Sequence, residues 1–281
     1  MIFYKTVDWL YRLRDLQKHR RVLSGIEELE SYFEHAETCF QQSSDMGLAA
    51  LNRIRLAPPK QLPRDPCSTE YADAQMSLYL KISGRKAYSA VESEKSDFDF
   101  ERLKDKPYPF FTQSPNQVWE QYSGIGHLIR SLNPHPQSKI LEFGSGWGNV
   151  AIPLAQMGHE VTCVEIDTLM VNLLHYRSQQ LKQNLEIIQT DMLKFDTERK
   201  FDAIVFYESF HHCLNHLKFL DRLPAFLKDG GKVIFAGEPI SIFQFPWGLR
   251  LDGLSLWSIR KYGWFELGFS RPYFYKTLMD T

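Results

Sequence analysis

Cysteine is scarce in this sequence: Cys39, Cys67, Cys163 and Cys213 are far apart and form no C-x-x-C pair. That argues against a disulfide framework and a zinc ribbon, and fits a reducing cytosol. No apolar run approaches the roughly 18–20 residues a membrane-spanning helix needs. The N-terminal apolar pattern is interrupted by Lys5, Asp8, Arg12 and Arg14, unlike a cleaved signal peptide. A soluble, cytoplasmic chain without a membrane partner is therefore expected. Charge of one sign is also lacking, with 33 Lys plus Arg against 34 Asp plus Glu. Broad phosphate neutralisation usually shows a basic excess, so no nucleic-acid partner is expected, although a local basic patch is not excluded. Internal repeats and low-complexity tracts are missing too. What remains is 281 residues, 43% hydrophobic and 24% charged, the composition of an ordinary globular protein. The length exceeds what one small domain needs.

Three regions are legible. Residues 1–66 read as a helical segment followed by a proline-rich linker. Apolar positions at Phe3, Val7, Leu10, Leu13 and Leu16, then Val22, Ile26, Leu29 and Phe33, have helical spacing. Ser24-Gly25-Ile26-Glu27 has capping-box spacing and marks a fresh helix start near Ser24. Four prolines between Ala57 and Pro66 then prevent a helix. Residues 67–138 read as a helical lid or substrate region, with helices over Thr69–Ile82 and Gln117–Leu132. A charge-rich, solvated stretch is expected at 92–106, followed by the aromatic-proline cluster Tyr108–Phe111. Asn133-Pro134-His135-Pro136 closes this region.

From residue 139 to 281 the pattern changes. Strand candidates at Lys139–Phe143, Glu160–Glu165, Leu185–Gln189, Phe201–Tyr207 and Lys232–Ala236 alternate with helical runs, including Leu169–Gln183 and Leu214–Leu227. Such alternation predicts an α/β fold with a doubly wound, mostly parallel sheet and an N-terminal helical extension.

In such sheets ligands bind at the C-terminal ends of the strands. After the first comes Glu142-Phe143-Gly144-Ser145-Gly146-Trp147-Gly148. A dinucleotide site would show G-x-G-x-x-G around a pyrophosphate. The spacing here is E-x-G-x-G-x-G, and a carboxylate beside the loop repels a diphosphate while suiting an ammonium or sulfonium. Glu165 ends the second strand, 21 residues beyond Gly144, where an acid can accept from two ribose hydroxyls. Asp191-Met192 follows the third strand and can serve an adenine amine and ring.

With these residues in place, the chain resembles the class I, Rossmann-like S-adenosylmethionine-dependent methyltransferases over about residues 139–240. The resemblance implies a methyltransferase using S-adenosyl-L-methionine and releasing S-adenosyl-L-homocysteine. It places Glu142, Gly144, Ser145, Gly146 and Gly148 around the methionine part and sugar. Glu165 would be at the ribose, Asp191 and Met192 at the adenine, and Tyr207 beside the reactive methyl.

Catalytic candidates follow directly in Glu208-Ser209-Phe210-His211-His212-Cys213. A hydroxyl acceptor needs a base, and histidine titrates near neutrality. His211 or His212 is read as that base, with Glu208 orienting it or binding substrate. His212 and His216 also have the i, i+4 spacing of metal ligands, with Glu208 or Cys213 nearby, but no supporting cluster appears elsewhere in the sequence, so no metal is expected. The Asn/Asp-Pro-Pro-aromatic motif of enzymes acting on amino groups of bases or glutamine is replaced by Tyr-Glu-Ser-Phe. O-methylation of a small molecule or glycan hydroxyl is the expected activity. A non-catalytic cofactor-binding or assembly protein is the alternative.

The family usually ends with two further strands. Here an aromatic stretch follows Gly237-Glu238-Pro239, and Pro272–Met279 reads as a last helix. Either Ser241–Phe245 and Trp264–Phe269 supply unusual strands, or the chain ends early. An uncovered sheet edge would favour a homodimer.

Glu165→Ala should weaken S-adenosylhomocysteine binding by about 1.5–3 kcal/mol, the scale of charged hydrogen bonds. Calorimetric titration of the folded variant checks this, and unchanged affinity would refute the ribose assignment.

Overall fold

The computed structural model describes residues 21–241 and 245–280. The helix expected over Phe3–Leu16 lies outside them, as do residues 242–244 of the expected Ser241–Phe245 strand. The described residues form two compact units, one of residues 21–62 with 251–257, the other of 63–241 and 245–250 with 258–280.

In the first unit, β1 (Arg21–Leu23) pairs in parallel with β2 (Ile54–Leu56). Between them lie the helices Leu29–Gln42 and Ser44–Leu51. The helix start expected near Ser24 is displaced. Glu28, rather than Glu27, reaches back to the backbone N–H groups of Ser24 and Gly25, and only a short 3-10 turn precedes Leu29. The second helix and the strand at Ile54 are additions to the sequence reading. Ser43 ends the first helix in an extended conformation and caps the second by accepting from Met46 N. Leu23, Leu29, Phe33, Ala36, Leu51 and Ile54 are buried in this unit.

The second unit is built on a five-stranded parallel sheet. Its strands are β3 (Lys139–Phe143), β4 (Glu160–Glu165), β5 (Leu185–Gln189), β6 (Phe201–Tyr207) and β7 (Leu227–Ala236). Their order is β5-β4-β3-β6-β7. The chain winds outward from β3 to β5, then returns to the other side at β6. Beside β3 is thus a topological switch point, where such sheets open a crevice at their strand ends.

Side chains alternate across the sheet. One face carries Ile140, Val161, Cys163, Ala203 and Val205 and packs against Ile125, Leu128 and Leu132 of the helix Pro115–Leu132 and against Leu154 and Leu174. Glu142, Glu165 and Tyr207 continue that same alternation at the strand ends. On the other face Phe206 stacks between Phe143 and Phe235, with ring centroids 5.3 and 5.0 Å apart, and Phe219 packs edge-on.

The helix expected over Leu214–Leu227 is broken into His216–Leu220 and a 3-10 turn at Leu223–Phe226. Pro224 cannot donate to the preceding turn and falls at the start of the new one. The stretch 92–106 is not simply solvated: Ser93 and Leu103 are buried, and it contains short helices at Ala90–Ser93 and Phe100–Leu103. Beyond β7, the strands β8 (Ile240–Ser241), β9 (Trp247–Leu249) and β10 (Leu267–Ser270) form a separate sheet of order β8-β10-β9. The segment after 240 therefore supplies strands, but none of them joins the five-stranded sheet. Gly237 at φ +70° turns the chain out of β7, and Pro239 then has no N–H to offer a ladder. The final helix, Arg271–Asp280, contains the expected span. Among the described residues no helix is long and apolar enough to cross a membrane.

Phe206 is fully buried in the aromatic stack. Phe206→Ala should cost about 3–5 kcal/mol, the usual scale for a buried phenylalanine. Urea unfolding measures this, and a loss below about 1 kcal/mol would show that the stack is not central to stability.

Candidate active site

The strand ends open into a cavity of about 720 Å³, within the usual range of about 300–1,000 Å³ for small-ligand sites. Glu142, Gly144, Ser145 and Gly146 line it from the loop after β3, and Glu165 from the end of β4. Asp191 and Met192 line it after β5, and Tyr207, Glu208 and His212 from β6 onward. Two residues expected at the site lie behind its wall. Gly148 faces the helices, where a Cβ would approach Leu174 Cδ2 to 2.7 Å, so its role is close packing. His211 is buried and turned toward Glu238.

Gly146 has φ +45°, and a Cβ built there meets only the Gly144 carbonyl oxygen, at 4.0 Å. A side chain at this position would occupy the cradle itself. The Glu165 carboxylate shapes that cradle, accepting from Gly146 N at 2.8 Å, Ile166 N at 2.8 Å and Asp167 N at 3.0 Å. Burial raises its pKa, and these three donors oppose the rise. Asp191 Oδ1 accepts from Leu193 N at 2.9 Å, which fixes the turn after β5.

Glu142 is only 2% exposed, and its Oε2 has no hydrogen-bond partner. Burial lifts its pKa to about 8, and the neighbouring charge of Glu165 adds to the rise. Among the described residues no lysine or arginine lines the cavity. Two buried carboxylates around a glycine cradle, one with an oxygen unclaimed, call for a positively charged ligand with room for a sugar. S-adenosylmethionine, with its ammonium and sulfonium, fits that donor set.

Toward the other end, Glu208 has φ +52°, a strained value for a non-glycine residue. Burial raises its carboxyl to about 7; Glu238, Glu120 and Glu266 push in the same direction and Arg250 opposes them. Glu238 accepts from the backbone N–H groups of Ser209, Phe210 and His211, and its Oε2 lies 2.8 Å from His211 Nδ1. Burial alone would raise Glu238, but the His211 charge and these donors hold it below the usual carboxylate range. His212 Nδ1 lies 3.2 Å from Glu94 Oε2 but lacks hydrogen-bond alignment. Burial alone would lower His212; Glu94, with Glu266 and Glu238, raises it to about 9. His216 is turned away, with Nε2 2.9 Å from the Tyr273 hydroxyl.

Tyr88, Glu94, Ser96, Tyr108 and Gln121 also line the cavity. They are held there by specific contacts: Ser96 N donates to Asp167 at 2.7 Å, and Asn149 Nδ2 donates to Tyr108 O at 2.8 Å. Phe98 stacks on Trp147 with centroids 4.9 Å apart. Glu94, Glu238 and Glu266 were not legible as site residues. Glu94 falls in the charge-rich run and Glu266 in the aromatic stretch. Only the neighbouring Gly237 and Pro239 single out Glu238.

A family model described as a methyltransferase domain matches residues 140–231, the segment from β3 into β7. Residues 140–231 are therefore similar to a methyltransferase domain. A ribosomal RNA small subunit methyltransferase A of Wigglesworthia glossinidia brevipalpis is 33% identical to the chain over 79 residues, 28% of this chain and 30% of that protein. An uncharacterized methyltransferase of Bacillus licheniformis is 33% identical over 123 residues, 43% of this chain and 55% of that protein. The chain thus spans about a third of one relative's length and just over half of the other's. Among solved structures, the CcbJ methyltransferase of Streptomyces caelestis is 18% identical, with a TM-score of 0.41 over 52% of this chain and 57% of that one.

One expectation falls here. Nucleic acid was excluded as a partner on charge balance, yet several similar proteins are ribosomal RNA small subunit methyltransferases. A net charge of -1 describes the whole chain and does not report on any local surface.

The Glu142 carboxyl, with its unpartnered Oε2, has a consequence for pH dependence. Because the folded pKa of Glu142 is raised to about 8, its contribution to the stability of the ligand-free protein is complete below the unfolded value near 4.5. That contribution is lost as pH rises through about 8. Glu142→Gln should remove this share of the pH dependence while weakening S-adenosylhomocysteine about tenfold, on the scale of one charged hydrogen bond. Thermal unfolding at pH 5 and pH 8.5, with titration calorimetry, reads both effects. An unaltered pH slope would contradict the burial argument.

Proposed function

We propose that this chain transfers the methyl group of S-adenosylmethionine to a hydroxyl oxygen of a small molecule or sugar, with Glu208 as the general base. The observation that carries this reading is the Glu208 carboxyl, raised to about 7 and lining the same cavity as the glycine cradle. A base is most effective when its pKa lies near the working pH. His212 serves this purpose less well, since a group raised to about 9 is already protonated at neutrality. His211 does not line the cavity at all. In this reading Glu208, rather than His211 or His212, takes the proton.

The cofactor supplies an electrophilic methyl group on a sulfonium. Glu142, Glu165, Asp191 and Met192 hold its ends, and the cradle at Gly146 lets the backbone come close. Tyr207 flanks the reacting region, its hydroxyl 3.3 Å from the Gln121 carbonyl. When bound, the cofactor would supply the methyl group for the acceptor oxygen and leave as S-adenosylhomocysteine, and Glu208 would take the hydroxyl proton. Much of the acceleration comes from holding donor and acceptor in line. Residues of the 67–138 segment act as a lid in this reading, with Tyr88 and Tyr108 over the cavity and water kept from the methyl donor.

The lining, without lysine or arginine among the described residues, suits an uncharged hydroxyl. A ribosomal RNA acceptor is the second reading, favoured by the named relatives. Methyl-group incorporation into a panel of glycans and phenols, run beside ribosomal RNA, separates the two.

With an accepted substrate, turnover should rise with pH around 7 as Glu208 loses its proton, moderated by Glu238, Glu120, Glu266 and Arg250 around it. Glu208→Gln should abolish that rise and reduce kcat by about 10²–10⁴-fold, with cofactor affinity kept within a few-fold. Near wild-type turnover in the variant would eliminate Glu208 as the base.

A further inference from the structure

Beside the cofactor cradle, one nitrogen each from His211 and His212 and one oxygen from Glu266 lie within 4.8 Å of one another. We infer that these three side chains bind a divalent first-row transition-metal ion in the wall of the cavity, which His212 lines. The spacing that suggested ligands in the sequence, His212 with His216, is not involved, because His216 faces Tyr273.

Three features support a built site. The first is ligand separation: His211 Nε2 and Glu266 Oε2 are 3.8 Å apart. Metal bonds of about 2.0–2.2 Å to nitrogen and oxygen place tetrahedral ligand atoms about 3.3–3.5 Å from each other, so a small side-chain adjustment closes the polyhedron. The second is orientation. His211 Nδ1 faces Glu238 Oε2 at 2.8 Å and His212 Nδ1 faces Glu94 Oε2 at 3.2 Å. A metal-bound histidine usually donates its other ring nitrogen to a carboxylate; His211 has that partner in Glu238, and His212 has Glu94 close by without the alignment of a hydrogen bond. With Nδ1 toward Glu238, His211 directs Nε2 at the Glu266 carboxylate, so a metal ion between the two would bond to both.

The third feature is bracing of the carboxylates behind the ligands. Glu94 Oε1 accepts from the Tyr88 hydroxyl at 3.0 Å and from Phe265 N at 2.8 Å. Glu238 is fixed by three backbone donors. Glu266, itself a ligand in this arrangement, shares the same Oε2 with Arg250 Nη1 at 3.6 Å. Two imidazoles and a carboxylate suit zinc, cobalt, iron or manganese rather than calcium or magnesium.

Three protein ligands leave coordination positions open, and His212 lines the cavity. An ion held there can draw in and acidify an acceptor hydroxyl. That role rests on the methyl-transfer reading; the binding of the metal does not.

The full-length chain, stripped with a chelator, is titrated with Co²⁺ while visible absorption and bound metal after dialysis are measured. One Co²⁺ per chain, displaced by Zn²⁺, is expected. His212→Gln and Glu266→Gln should each weaken uptake at least tenfold, and Glu238→Gln about 10–100-fold, as loss of an orienting partner does. His35→Gln, on the exposed side of the Leu29–Gln42 helix, should bind as the wild type does. Failure of the folded wild-type chain to take up stoichiometric Co²⁺ or Zn²⁺ overturns the site, as does uptake unaffected by His212→Gln, Glu266→Gln and Glu238→Gln alike. Should a variant not fold, the wild-type stoichiometry and its metal-dependent rise in Tm decide alone. Calorimetry with S-adenosylhomocysteine on the same samples separates the two readings: cofactor binding without metal uptake refutes only the metal site, and metal uptake without cofactor binding refutes only the methyltransferase reading.

Discussion

Buried carboxylates set the terms for the rest of this structure. Glu142, Glu165, Glu238 and Glu266 are all withdrawn from solvent around the mouth of one parallel sheet. A buried charge is costly unless hydrogen bonds, an opposite charge or a proton answer it. Each of the four is answered differently. Glu165 has three backbone donors, and Glu238 has three more together with His211. Glu266 has Arg250 nearby. Glu142 has an oxygen with no partner, and its carboxyl retains a proton to about pH 8.

The sheet makes this arrangement possible. Parallel strands covered by helices on both faces keep their ends apolar and rigid, so a carboxylate at a strand end is desolvated by construction. Alternation along β3, β4 and β6 delivers Glu142, Glu165 and Tyr207 to one face, directly beyond the Ile140–Val161–Val205 layer. On the opposite face, the stacked Phe143, Phe206 and Phe235 hold the same strands in register. Packing on one side of the sheet thereby fixes the geometry of chemistry on the other.

Glu238 links the cavity to the smaller sheet. It is the residue at which the chain leaves β7 for β8, and its carboxylate gathers the backbone of Ser209, Phe210 and His211. One turn therefore positions the loop that carries Glu208 and His212.

Much of the cofactor half was legible in the amino-acid sequence, because its signals are local. The five strands, the E-x-G-x-G-x-G loop and the acids at Glu165 and Asp191 follow from periodicity and from spacing within about fifty residues. The proton-transfer end was not legible. Glu94, Glu238 and Glu266 belong to segments far apart in the chain, and their identities as exposed or buried acids depend on what packs over them. The histidines were visible, but not which one faces the cavity, since a 3-10 turn at Phe210–His212 directs adjacent rings differently. Sequence alone thus determined the fold and the class of cofactor, because both rest on short-range patterns that survive without knowledge of contacts. Tertiary structure decided which carboxylates lose water and which histidine nitrogen they face, because desolvation and ion pairing are properties of neighbours brought together only by folding.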